Sequence, residues 1–151
     1  IYRPHPGDLK NKLQLKKILK INELFKSNNN FIFDINTSYL ESYKRAKFMI
    51  TDFSGTAYTY AFCKLNPVIF FSKNEDSLLK NNLSKLYYFK DRPQIGIIET
   101  NIDNFNHSIN LLEKNSLDFN EKIKILRGNR IEHFNNSMHE HSKNLSKILN
   151  N

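Results

Sequence analysis

The sequence predicts an α/β protein of the Rossmann-like type, a parallel sheet with helices on both faces, and three observations carry that expectation. Short apolar runs recur at "FIFD" (31–34), "KFMITD" (47–52), "NPVIFF" (66–71) and "IGIIET" (95–100). The stretches between them carry apolar residues at helical spacing. No internal repeat or long linker interrupts the 151 residues, so one domain over 1–151 is expected. Strands covered on both faces read as unbroken apolar runs, and parallel strands need crossover helices between them.

Taken in order, residues 1–3 read as a strand stopped by Pro4 and Pro6, neither of which can donate to a ladder. Gly7-Asp8 then opens a helix, with Asp8 as the expected N-cap. Apolar residues at 15, 18, 19, 21, 24 and 25 extend it, and lysines 10, 12, 16, 17 and 20 fill the intervening face. After "FIFD" a helix is expected from Thr37 or Ser38 to Arg45, then the strand "KFMITD". Another helix runs from about Thr56 to Lys64, followed by the strongest strand signal, "NPVIFF". Residues 73–92 are polar and rich in Lys and Asn, with no element assigned. "IGIIET" is the last strand, and apolar residues at 102, 105, 109 and 112 mark an amphipathic helix. From 118 onward the pattern is helical, with a break expected near Gly128.

The chain is 39% apolar and 13% aromatic, and no apolar run approaches the ~18 residues of a membrane span. Its single cysteine, Cys63, cannot close an internal disulfide, which favours a reducing compartment. The formal charge of +8 suits nucleic acid, an anionic membrane or a phosphate-bearing ligand. A bias toward Lys, Asn and Ile would raise the charge equally well without any partner. Against a nucleic-acid module, the aromatics cluster in apolar runs rather than alternating with Lys and Arg as stacking platforms would. No helix-turn-helix, zinc or RNP motif is present either. The chain opens on Ile1, within an expected strand, which points to a piece of a longer protein.

In open α/β sheets ligands sit at the carboxyl ends of strands, where loops meet helix N-termini. Three loops there carry suitable groups. In "TDFSGTA" the helix N-terminus favours an anion, Ser54 and Thr56 add hydroxyl donors, and Gly55 keeps a Cβ out of the way. Equally, Ser54 or Thr56 could simply cap its own helix. The loop is not GxxxxGK[ST], which excludes a P-loop NTPase. In "RPHPGD" a rigid turn projects Arg3, a bidentate phosphate partner, and His5, a hydrogen-bond or proton donor. In "DIN", Asp34 and Asn36 follow a strand end as candidate nucleotide contacts. His107, His133, His139 and His141 lack partners at metal-ligand spacing, and the i, i+2 pair in "HEH" does not share a helix face. Cys63 is expected to serve packing.

"YRPHP", then "YLESYKRAKFMITDFSGTAYTYAFCKLNPVIFF", resembles the CDP-glycerol glycerophosphotransferase family of teichoic-acid and capsule polymerases. "PQIGIIETNIDNFNHSI" is similar to that family's Gly-containing loop, strand and helix, so the likeness spans about residues 1–115. The resemblance implies a GT-B architecture of two Rossmann-like domains. This chain would be most of the C-terminal, nucleotide-binding one, without its first β-α unit. It assigns Arg3, His5, Ser54, Gly55 and Thr56 to the diphosphate of a CDP-activated donor, with His5 also serving as the acid. Asp34 and Asn36 take weaker roles in nucleotide contact. It implies no cofactor and no metal. The acceptor is a lipid-linked or polysaccharide hydroxyl, no nucleic acid is bound, and the location is cytoplasmic, at the inner face of the membrane through peripheral association. The catalytic base would lie outside this chain. The family usually has Ser where Gly55 stands and an acid where Thr59 stands, so a capsular glycosyltransferase using a CMP- or UDP-sugar is the alternative donor class.

Overall fold

A computed structural model describes residues 1–80 and 83–131. The chain forms two compact units, one from Ile1 to Ala46 and one from Lys47 onward.

In the first unit the two predicted strands meet as a single parallel bridge, Tyr2 to Phe33. The Tyr2 N–H donates to the Ile32 carbonyl at 2.8 Å, and the Asp34 N–H to the Tyr2 carbonyl at 3.0 Å. Pro4, with no N–H, prevents the pairing from running further. Helix α1 (Pro6–Lys10) starts earlier than expected, because Pro6 fixes φ for the first helical position and His5 caps it. Asp8 is therefore not the N-cap; it lies in the first turn, where its charge suits the helix dipole. Asn11 then breaks the predicted continuous helix. Its backbone is extended, and its side chain accepts from the Leu13 and Gln14 N–H groups at 3.0 and 3.2 Å to begin α2 (Lys12–Phe25). Ile18 is the buried residue of α2, and the lysines face outward. Helix α3 (Leu40–Arg45) buries Tyr43.

In the second unit β1 (Met49–Thr51), β2 (Val68–Phe71) and β3 (Gly96–Glu99) form a three-stranded parallel sheet in that order. Met49 aligns with Val68, and Val68 with Gly96. Val68, Ile69 and Phe70 are fully buried, each such side chain stabilising the fold by about 1.5–3 kcal/mol. Gly96 is required by close approach: a Cβ there would lie 1.8 Å from the Val68 carbonyl oxygen. Helix α4 (Thr56–Lys64) joins β1 to β2 and contributes buried Ala57, Tyr60 and Ala61.

The polar stretch between β2 and β3 is helical after all, with α5 (Glu75–Leu79) and α6 (Tyr87–Ile95). Its Lys/Asn content and the internal Pro93 mask the pattern in sequence, but tertiary charge pairing holds it. Arg92 is buried on Glu75, with its guanidinium 4.5 Å from the Phe89 ring centre. Asp91 takes both Arg130 contacts, at 2.6 and 2.8 Å. Helices α7 (Phe105–Lys114) and α8 (Ser116–Arg130) follow β3. No break occurs at Gly128; α8 runs through it, anchored by buried Ile123 and Leu126. His133, His139 and His141 lie outside the described residues.

Candidate functional site

The groups singled out by sequence fall into two places, one in each unit. In the first unit Arg3 is held by its own chain. Its Nη1 donates to Asp34 Oδ2 at 2.6 Å, and its Nη2 to the Asn36 carbonyl at 2.5 Å and more distantly to that of Thr37. Asp34, only 8% exposed, also accepts from Ser42 Oγ and from the backbone and side-chain nitrogens of Asn36 at 3.0 and 2.8 Å. Burial pushes the Asp34 carboxyl up, but Ser42, Asn36 and Arg3 together outweigh it and hold the group at about 2. Arg3, Asp34 and Asn36 thus form one charge-neutral clamp that ties the 1–5 segment to the 34–37 loop.

His5 stands at the exposed end of this turn. Its Nδ1 accepts the Gly7 N–H at 3.0 Å, which leaves Nε2 as the hydrogen-bearing nitrogen. In this conformation the imidazole can donate one hydrogen bond outward. Acting as a proton donor would require a hydrogen on Nδ1 and loss of the helix cap.

In the second unit the loop from Asp52 to Gly55 joins β1 to α4. Gly55 is the N-cap with helical φ and ψ, and it has no side chain with which to cap the helix. Ser54 Oγ accepts the Thr56 N–H at 3.3 Å, the Ser54 carbonyl accepts from Ala57, and the Gly55 carbonyl accepts from Tyr58. The N–H groups of Ser54 and Gly55 find no acceptor among the described residues. A Cβ added at Gly55 would meet nothing within 4 Å, so the loop's outer face is open at the point where the helix dipole is positive. Tyr88 supports the loop from behind, its hydroxyl 3.4 Å from the Ser54 carbonyl. Burial is the main cause that pushes the Tyr88 phenol up to about 12, which keeps it protonated and able to donate at neutral pH.

The sheet carries two further polar loops, after β2 and after β3, that the sequence motifs do not single out. After β2, residues Phe71, Ser72, Lys73, Asn74 and Ser77 line a cavity of about 450 Å³ together with Phe53. Ser72 is 4% exposed, and its Oγ has no hydrogen-bond partner among the described residues. After β3, Glu99 is buried and accepts from the Thr100 and Asn101 N–H groups at 2.9 and 3.0 Å and from Ser108 Oγ at 2.8 Å. The Asn101 N–H and then Ser108 are the main causes that hold its carboxyl below the ordinary glutamate value. The rule that favoured the loops after "FIF" and "FMI" applies equally to "SKNEDS" after "NPVIFF" and would have found the cavity.

Cys63 is exposed, contrary to its expected packing role. Among the described residues no three His, Cys, Asp or Glu side chains gather as a metal-holding set, and no helix is long and apolar enough to cross a membrane. Comparison of the chain with protein-family models, with curated proteins and with solved structures found no significant match.

Proposed function

We propose that the β1–α4 loop binds the phosphate of an activated nucleotide donor, within a GT-B glycerophosphotransferase acting in teichoic-acid or capsular polymer synthesis. One observation carries the reading: the N–H groups of Ser54 and Gly55 lie at a helix N-terminus after a strand's carboxyl end, with no acceptor among the described residues and no Cβ at residue 55. Two such donors and the Ser54 hydroxyl suit phosphate oxygens. The likeness to the CDP-glycerol glycerophosphotransferases supplies the donor class.

In that reaction the acceptor hydroxyl gives its proton to a base outside this chain and attacks the glycerol-bearing phosphorus, the bond from that phosphorus to the bridging oxygen breaks, and CMP leaves with the negative charge. Backbone N–H groups placed where charge develops stabilise the transition state more than the ground state. In the first unit His5 can donate one hydrogen bond outward through Nε2, and the Arg3–Asp34 clamp positions the turn that carries it. The acceptor is a lipid-linked or polysaccharide hydroxyl. The surplus of lysines favours peripheral association with an anionic membrane face.

Amide NMR of the chain titrated with CDP-glycerol, CDP and CMP tests the reading. Shifts at residues 54–57 with the CDP species are expected. Unmoved 54–57 amides at millimolar CDP would overturn it. CMP-sialate and UDP-sugars in the same titration separate the glycerophosphate donor from a sugar donor.

A further inference from the structure

We infer that the outward face of α2 docks on an anionic lipid surface, with Leu13 and Leu24 entering the interface between the lysines. The inference deepens the peripheral association proposed above and rests on that reading; it needs nothing from the phosphate loop. Helix α2 buries one side, where Ile18 is covered and Leu15 and Asn22 are half-buried. On the other side Leu13 and Leu24 are left 66% and 65% exposed. At the α-helical repeat these two fall about 20° apart around the axis and about 16 Å apart along it. Both stand about 120–140° from Ile18. Two apolar anchors on one line, separated by about three turns, hold a helix flat against a surface.

The charges on that side point the same way. Lys17 and Lys20 flank the leucine line at about 30° on either hand, and Lys12 and Lys16 extend the face. All four lysines are exposed, and none makes a hydrogen bond or ion pair among the described residues. Glu23, the acid of α2, is already matched by Lys26 at 2.6 Å. The face therefore presents unpaired cations and apolar side chains together. A soluble polyanion would pair with the lysines and leave the leucines in water. A partner helix would need apolar residues gathered in a seam, whereas here they are interleaved with cations. A bilayer of anionic lipid takes both. The leucines enter the headgroup boundary, while the lysine stems lie along apolar surface and their ammonium groups stay with the lipid phosphates.

Co-sedimentation of the chain with phosphatidylcholine vesicles, with and without phosphatidylglycerol, tests the inference. Binding at least about tenfold tighter to the vesicles that contain phosphatidylglycerol is expected. Leu13→Ala with Leu24→Ala should weaken it about tenfold, and Lys16→Gln with Lys20→Gln about thirtyfold. These positions are exposed, so the substitutions leave the core untouched. Lys122→Gln with Lys124→Gln removes the same charge from α8 and should change binding by no more than about twofold. Equal losses from the α2 and α8 lysine pairs, or a leucine pair without effect, would overturn the α2 assignment and leave the peripheral association standing. No binding, or equal binding to both vesicles, would overturn the anionic membrane association together with it. Neither result touches the phosphate loop, which the CDP titration decides.

Discussion

Two connections in one sheet start from the same geometry and end differently. The β3–α7 connection places a buried carboxylate, Glu99, against its own N–H groups at residues 100 and 101 and against Ser108. The β1–α4 connection has no acid in that role, and the N–H groups of Ser54 and Gly55 are left over among the described residues. One loop carries its anion within the chain, and the other leaves its donors open, which is what the proposed phosphate reading requires. The difference separates a closed structural joint from an open one, although both are polar segments between a strand and a helix.

The largest expected effect comes from opening the closed joint. Glu99→Ala strands two backbone donors and a buried hydroxyl, and should cost about 2–4 kcal/mol in urea unfolding. Sulfate, but not chloride at equal ionic strength, should return part of that loss, because the emptied loop then resembles its β1 counterpart. The converse change is Gly55→Val. With φ at −59° and open space around the site, it should alter stability by no more than about 0.5 kcal/mol. Its side chain stands where phosphate would approach, so CDP affinity measured by calorimetry should fall about tenfold or more.

Acid unfolding sharpens the contrast further. Glu99 and Asp34 both have folded-state values below their unfolded ones. Their contribution is complete above the ordinary carboxylate range near ~4 and is lost as the pH falls through the folded values, for Asp34 down to about 2. Glu99→Gln should therefore flatten the acid limb of a stability–pH curve, whereas Gly55→Val should leave it unchanged. The smallest effect is expected from Ser72→Ala. Removal of a buried hydroxyl without a partner should leave the melting temperature of the free protein unchanged or slightly raised.

Several features were legible in the sequence. The runs at 47–52, 66–71 and 95–100 became β1, β2 and β3, and α4 matches its expected span, because apolar continuity and helical spacing are local signals. Helix α6 was not legible: its stability comes from Glu75 on Arg92 and Arg130 on Asp91, partners 17 and 39 residues apart. His5 as a cap, in place of Asp8, turned on where Pro6 set the first helical residue.

The sequence by itself determined the strand–helix alternation and the loops where an anion could sit, since periodicity and the placement of Gly, Pro and hydroxyls act over a few residues. Only the tertiary structure decided which polar groups are already satisfied. It bound Arg3 to Asp34 and closed the β3 loop with Glu99, while Ser54, Gly55 and the cavity beyond β2 kept theirs. A hydrogen bond is made or left over according to what the folded chain brings within about 3 Å, and residue type alone does not carry that information.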